Sequence, residues 1–187
     1  MSASPSSAVT PLGYVLLCEI RKEPRGGYVL RRLFETTPLG IFSSSPGSIY
    51  PALRRLEDQG LIRAIGAGRG GRFEITPAGR DIVEAWLAQP VTAEDVSRRI
   101  DLCLLRFAFL QEHSDRPVAI DFLASLEAAA TARAAELIAF LDSEEGKGLS
   151  LHGRLAVDHG RRSVEATARW AIDARDRLNA HYAGDRV

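Results

Sequence analysis

Residues 45–60 read SPGSIYPALRRLEDQG, and the parsing of this stretch decides the fold. Ser45 offers a hydroxyl cap, Pro46 suits a first helical position, and Gly60 is a natural C-terminal stop. At about 100° per residue, Ile49, Ala52, Leu53 and Leu56 share one face. The opposite face gathers Gly47, Pro51, Arg54 and Asp58, flanked by Ser48, Tyr50 and Arg55. The helix is therefore greasy behind, and small, hydroxylic and cationic in front. An interior proline forfeits a hydrogen bond, so two starts stay open. One begins at Ser45; the other begins at Ser48 and puts Pro51 in the tolerated first turn.

The segments on either side give this helix its setting. Thr10–Pro11 is a cap followed by proline, and the helical spacing of Leu12, Val15, Leu16 and Glu19–Ile20 runs to the stop PRGG at 24–27. A second helix follows from Tyr28 to about Thr37, with Val29, Leu30, Leu33 and Phe34 as its apolar face. A turn at 38–45 leads into the third helix. After it, Leu61–Ile65 and Arg72–Thr76 alternate as strands around the glycine-rich loop GAGRGG, with Arg69 at its tip. Thr76–Pro77 then launches a helix through Ile82, Val83, Trp86 and Leu87, stopped near Pro90, with Trp86 read as core.

From residue 90 onward the pattern is helical throughout. Thr92-Ala-Glu-Asp95 resembles a capping box with Asp in place of Glu or Gln. Behind it Val96, Ile100, Cys103, Phe107 and Leu110 keep a heptad rhythm, read as one continuous helix. Residues 118–141 carry the same rhythm in Leu123, Leu126, Ala130, Ala134, Leu137 and Leu141. After a loop at 143–150, a last helix from about Leu151 to Tyr182 aligns Val157, Val164, Ala168, Ala171, Leu178 and Tyr182.

Composition narrows the function classes. The 187 residues are 45% hydrophobic and 26% charged, a globular rather than a disordered profile. The 24 basic and 24 acidic side chains cancel, but unevenly along the chain. Residues 1–89 hold 11 basic against 8 acidic and residues 90–187 hold 13 against 16, so the N-terminal half is the one expected to meet a polyanion. No apolar run approaches the ~18–20 residues of a membrane span, and MSASPSSAV lacks the core of a secretory signal. Residues 1–9 are expected to be a disordered tail and the protein cytoplasmic. Cys18 and Cys103 lie in apolar surroundings and are expected to be reduced and buried.

Enzymatic chemistry finds no constellation. His113, His152, His159 and His181 are scattered; His152 and His159 stand one heptad apart, near Asp158, without further ligands. SSSPGS at 43–48 is not a nucleophile elbow, and GAGRGG precedes a strand rather than a helix, so it is no phosphate loop. No enzyme activity, cofactor or metal is expected.

Three helices, a hairpin with an arginine-bearing loop and a fourth helix describe a winged helix-turn-helix. In that fold the third helix enters the major groove and the wing lies on the neighbouring backbone. The N–H groups opening that helix, with the Ser45 and Ser48 hydroxyls, can bond phosphate oxygens. Arg54 is placed to read guanine with both arms of its fork, with Arg55 off that axis. Arg69 and Arg72 can take phosphates in a salt-dependent, sequence-blind way, and Tyr50 can donate its hydroxyl to another. The bland alternatives are a Tyr50 that closes the core, an Arg54–Arg55 pair on a solvated face and an Arg72 paired with an acid.

SPGSIYPALRRLEDQGLI, the hairpin end RFEITPAGR and the earlier GYVLRRL resemble the PadR family of bacterial transcriptional regulators, densely over about residues 12–88. The resemblance implies that Pro51 is tolerated at its place in the recognition helix. It also implies a homodimer joined through C-terminal helices, acting as a repressor of promoter DNA and released by a small molecule or another signal. An aromatic on the last helix of some relatives lines a pocket for flat ligands, which marks Trp170 for that role. The wing here, richer in glycine, departs from many relatives.

The fold expected is thus mainly α with a small β-hairpin wing. Residues 10–89 form the DNA-binding domain and 90–187 a helical dimerisation and effector domain. Apolar stripes on the long helices point to a dimer independently of the resemblance. The competing functional reading is a winged-helix module that uses its third helix for protein contacts without reading DNA.

Overall fold

The structure, a computed structural model, describes residues 9–42, 46–66, 71–110 and 116–184. The chain divides into two compact units, one through Trp86 and the other from Leu87. In the first, α1 (Pro11–Lys22) is followed by the two-residue strand β1 (Arg25–Gly26), then α2 (Gly27–Thr36) and α3 (Ile49–Asp58). Strands β2 (Ile62–Ile65) and β3 (Arg72–Ile75) and helix α4 (Pro77–Leu87) complete it. Short 3-10 turns at Pro38–Phe42 and Pro46–Ser48 join α2 to α3.

The expected caps operate. Thr10 Oγ1 accepts from the Gly13 amide at 3.1 Å, with Pro11 opening α1. α3 ends in a double-bonded αL turn: the Gly60 amide donates to the Glu57 carbonyl and the Leu61 amide to the Leu56 carbonyl, at 2.8 and 2.9 Å. Gly60 takes φ +71°, a conformation that disfavours any side chain. Thr76 ties this exit to the next helix. Its hydroxyl donates to the Gly60 carbonyl at 2.7 Å and accepts from the Gly79 amide at 3.1 Å, capping α4. The third helix is thereby pinned at its C-terminal end to the strand pair that follows.

The sheet is antiparallel in the order β1-β3-β2. Arg25 faces Phe73 and Gly26 faces Arg72, so the PRGG stop after α1 is also an edge strand. The core beneath holds Val15, Leu16, Leu17 and Ile20 of α1, Leu30 and Phe34 of α2, and Ile49, Leu53 and Leu56 of α3. Trp86 is buried, and Tyr14 stacks on its ring at 4.4 Å and 9°. Glu19 is also buried, held by Lys22 at 2.9 Å and Arg25 at 3.2 Å. Cys18 and Cys103 are both buried.

The second unit is all helix. α5 (Ala93–Arg98) and α6 (Ile100–Leu110) are separate helices, because Arg99 leaves helical geometry at φ −141°, ψ 31°. The expected single helix from 92 to 110 is thus broken, although both bonds of the Thr92–Asp95 capping box form. α7 (Arg116–Asp142), the four-residue α8 (Glu144–Lys147) and α9 (Leu151–Gly184) follow. α8 occupies what the sequence reading took as loop. Small residues carry the α7–α9 contact, with Ala130 and Ala134 on one side and Ala168 and Ala171 on the other, all buried. Arg175 bridges to Glu127 across it at 2.7 Å, and Arg154 donates to the Gly146 carbonyl at 3.0 Å.

Candidate nucleic-acid interface

α3 begins at Ile49. Ser48 precedes it in helical conformation and makes no side-chain cap bond, so the start at Ser45 with Pro46 as first residue is replaced by the later one. Pro51 is then the third residue of the helix, where an N–H would have no intrahelical partner, so its absence there costs little. Ser45 lies outside the described residues, as do Arg69 and residues 1–8 of the expected tail.

The burial pattern of α3 sorts its side chains cleanly. Ile49, Ala52, Leu53 and Leu56 are inside; Tyr50, Pro51, Arg54, Arg55, Glu57 and Asp58 are outside. Tyr50 is 46% exposed, so it does not close the core. Among the described residues, no carboxylate pairs with Arg54 or Arg55, and none with the exposed Arg72 at the start of β3. The acidic residue on that hairpin, Glu74, is instead taken by Arg63 across the ladder. Three guanidinium groups therefore face solvent without a carboxylate partner among the described residues.

One part of this surface escaped the sequence reading. Val29, placed on the apolar face of α2, is 51% exposed, and its neighbour Tyr28 is 67% exposed. Both stand at the head of α2, beside Tyr50 and the root of the hairpin, and line a groove of about 610 Å³ with Gly71, Arg72 and Phe73. Nothing in the periodicity sets Val29 apart from Leu30; the head of the helix faces out because Gly26 pairs into the sheet just before it. Arg31 bonds to Glu35 at 2.8 Å, which raises its pKa, and the Tyr50 and Tyr28 phenols add to the rise.

In the helical unit Trp170 is 38% exposed and meets Phe107 edge-on, with centroids 5.5 Å apart at 86°. A small cavity of about 190 Å³ lies nearby, lined by Phe107, Leu110, Leu178, His181 and Tyr182 but not by Trp170. Arg106 is 5% exposed; its guanidinium lies 4.7 Å from the Phe122 ring centre, and its Nε and Nη2 have no hydrogen-bond partner among the described residues. Burial lowers its pKa. Among the described residues no three metal-ligating side chains come together, and no helix is long and apolar enough to cross a membrane.

The unit that carries α3 and the hairpin matches the family model described as the transcriptional regulator PadR-like family over residues 16–85. Residues 16–85 are a PadR-like domain. The family is one of transcriptional regulators, not enzymes. Beyond the PadR-like domain, the chain is similar over 89% of its length to a probable transcriptional regulator of Mycobacterium tuberculosis, Rv1176c. The two are 24% identical, and 97% of that protein is covered. Among solved structures it is similar to the PadR-like regulator BC1756 of Bacillus cereus, with 25% identity, 91% of this chain and 99% of that one covered, and a TM-score of 0.40. It is also similar to Bacillus subtilis PadR, solved in complex with operator DNA. There the identity is 22%, the coverage 89% and 98%, and the TM-score 0.37.

Proposed function

We propose that this protein is a homodimeric, sequence-specific DNA-binding repressor of transcription, acting in the cytoplasm at promoter DNA. The observation that carries the reading is the outward face of α3: Tyr50, Arg54 and Arg55 stand exposed with no described carboxylate on either arginine, on a helix whose other face is the core. The PadR-like match over the same residues supports it. In this reading α3 lies in the major groove with Arg54 against a guanine edge. Ser48, Tyr50 and Arg55 position it on the backbone, together with Ser45 and Pro51 at its entry. Arg72, with Arg69 further along the hairpin loop, holds phosphates.

Dimerisation belongs to the helical unit. Its exposed Ile138, Phe140, Leu151, Leu155 and Ile172 are apolar side chains that a second copy would cover. A small-molecule effector acting there, with Trp170 against it, would release the DNA by favouring one arrangement of the two subunits over another.

Gel-shift titration on the region upstream of the protein's own gene, at several salt concentrations, tests the reading. Binding should weaken steeply with salt, and Arg54→Ala should lose affinity and relax specificity. Absence of binding at low salt would overturn it. Sedimentation at micromolar concentration should show a dimer; a stable monomer would remove that half of the proposal.

A further inference from the structure

The groove at the head of α2 has the chemistry of a phosphate seat. Two phenols face it, Tyr28 and Tyr50, and both are held largely out of the core. The charges on the lining do not cancel. Arg25 is engaged by Glu19 and Glu23, each at 3.2 Å, and Arg31, outside the lining, is engaged by Glu35. Glu23, the acid on the groove wall, is thereby neutralised. Arg72 is left with no described carboxylate. The lining thus offers two O–H donors and one uncompensated cation, and Gly26 adds no side chain to obstruct an approaching backbone. Tyr50 belongs both to this groove and to the outer face of α3, so the two surfaces are continuous.

We propose that this groove seats the sugar–phosphate backbone of one operator strand, with one phosphate held by Tyr28 together with Tyr50 and Arg72. The proposal rests on the DNA-binding reading above and adds Tyr28 and the head of α2 to it. Neutral hydroxyl donors and a guanidinium contribute differently to such a contact. Only the cation releases counterions, so the tyrosines add affinity without adding to the salt dependence.

The test uses the full-length protein and a duplex spanning its footprint, with single methylphosphonate substitutions walked along each strand. Tyr28→Phe should weaken binding about 10–100-fold, the scale of one lost bond to a charged group, and leave the salt slope and the melting temperature unchanged. Arg72→Gln should lower the salt slope by about 0.9. One methylphosphonate position should penalise the wild type and penalise Tyr28→Phe less, because Tyr50 and Arg72 still hold that phosphate. Equal affinity of Tyr28→Phe and wild type, with identical substitution profiles, would overturn the seat while leaving the regulator reading intact. If Tyr28→Phe leaves DNA binding unaffected while submillimolar inorganic phosphate shifts the Tyr28 and Tyr50 ring signals of the DNA-free protein, the groove holds a free anion and the proposal is wrong. A wild type that binds no DNA at low salt would remove both readings together.

Discussion

Gly27 lies beneath the ring of Tyr50: a β-carbon at Gly27 would stand 2.7 Å from Tyr50 Cε1 and 3.3 Å from Cδ1. No real β-carbon sits that close, so any side chain here must push the ring aside. Tyr50 is half exposed and can yield by turning outward, which spares the core. Gly27→Ala is therefore expected to weaken DNA binding several-fold while moving the melting temperature by no more than about 4 °C, the scale of ~1 kcal/mol in a chain of this size. Gel-shift titration and thermal unfolding of the same preparation separate the two effects.

Gly79 is the contrasting case. A β-carbon there would collide with the backbone carbonyl of Leu61 and come within 2.8 Å of Ile75 Cγ1. A carbonyl in the turn that joins α3 to β2 cannot rotate away, because it accepts from the Thr76 amide at 3.0 Å. Gly79→Ala should cost about 1–3 kcal/mol, the usual penalty of overpacking. Urea unfolding would show it as a lower midpoint with an unchanged slope.

Arg106 is a buried guanidinium over the Phe122 ring, with no carboxylate paired to it among the described residues. Taking a charge out of water without a paired carboxylate is costly, and hydrophobic replacement of such groups is commonly neutral or stabilising. Arg106→Met should hold stability or raise it by up to about 3 kcal/mol. A marked fall in the urea midpoint would mean that the cation is paired in the assembled protein.

Burial pushes the Cys103 thiol up to about 11, with Asp95 adding to the rise. The folded state therefore keeps its proton where the unfolded chain, with an ordinary thiol pKa near 8.5, has begun to lose it. Stability from this group is whole below the unfolded value and falls as pH rises from about 8.5 towards 11, by at most about 1.4 kcal/mol per pH unit. Cys103→Ser should flatten that part of the stability–pH curve. At pH 7.5 the native thiol should resist alkylation that is rapid in denaturant.

Much of the fold could be read because its helices carry their own punctuation. Thr10, Thr76 and Thr92 announce helix starts, and the capping distances at Gly13, Gly79 and Asp95 show why. The outer and inner faces of α3 followed from spacing alone. Where the reading stayed open or went wrong, two physical signals overlapped. Ser45–Pro46 imitates a cap followed by proline, yet the chain forms a 3-10 turn first and starts the helix where Pro51 needs no N–H. A one-residue break at Arg99 preserves the spacing of Val96, Ile100 and Cys103, so the heptad rhythm runs through it unmarked. β1 is two residues long, too short for alternation to show, and its pairing with Phe73 and Arg72 is a tertiary fact. The exposure of Tyr28 follows from that pairing, which is why the groove was not foreseen.

The 34 residues of α9 make one uninterrupted helix, about 51 Å long at 1.5 Å per residue. Along its middle, Asp158 takes both Arg161 and Arg162, and Arg161 also takes Glu165, so the rod is braced by bonds internal to itself. Such an element works as a lever arm: a tilt of about 5° at one end carries the other by roughly 4 Å over that length. In the homodimer proposed above, a displacement of that size is comparable to the 3.4 Å rise between neighbouring base pairs along one strand.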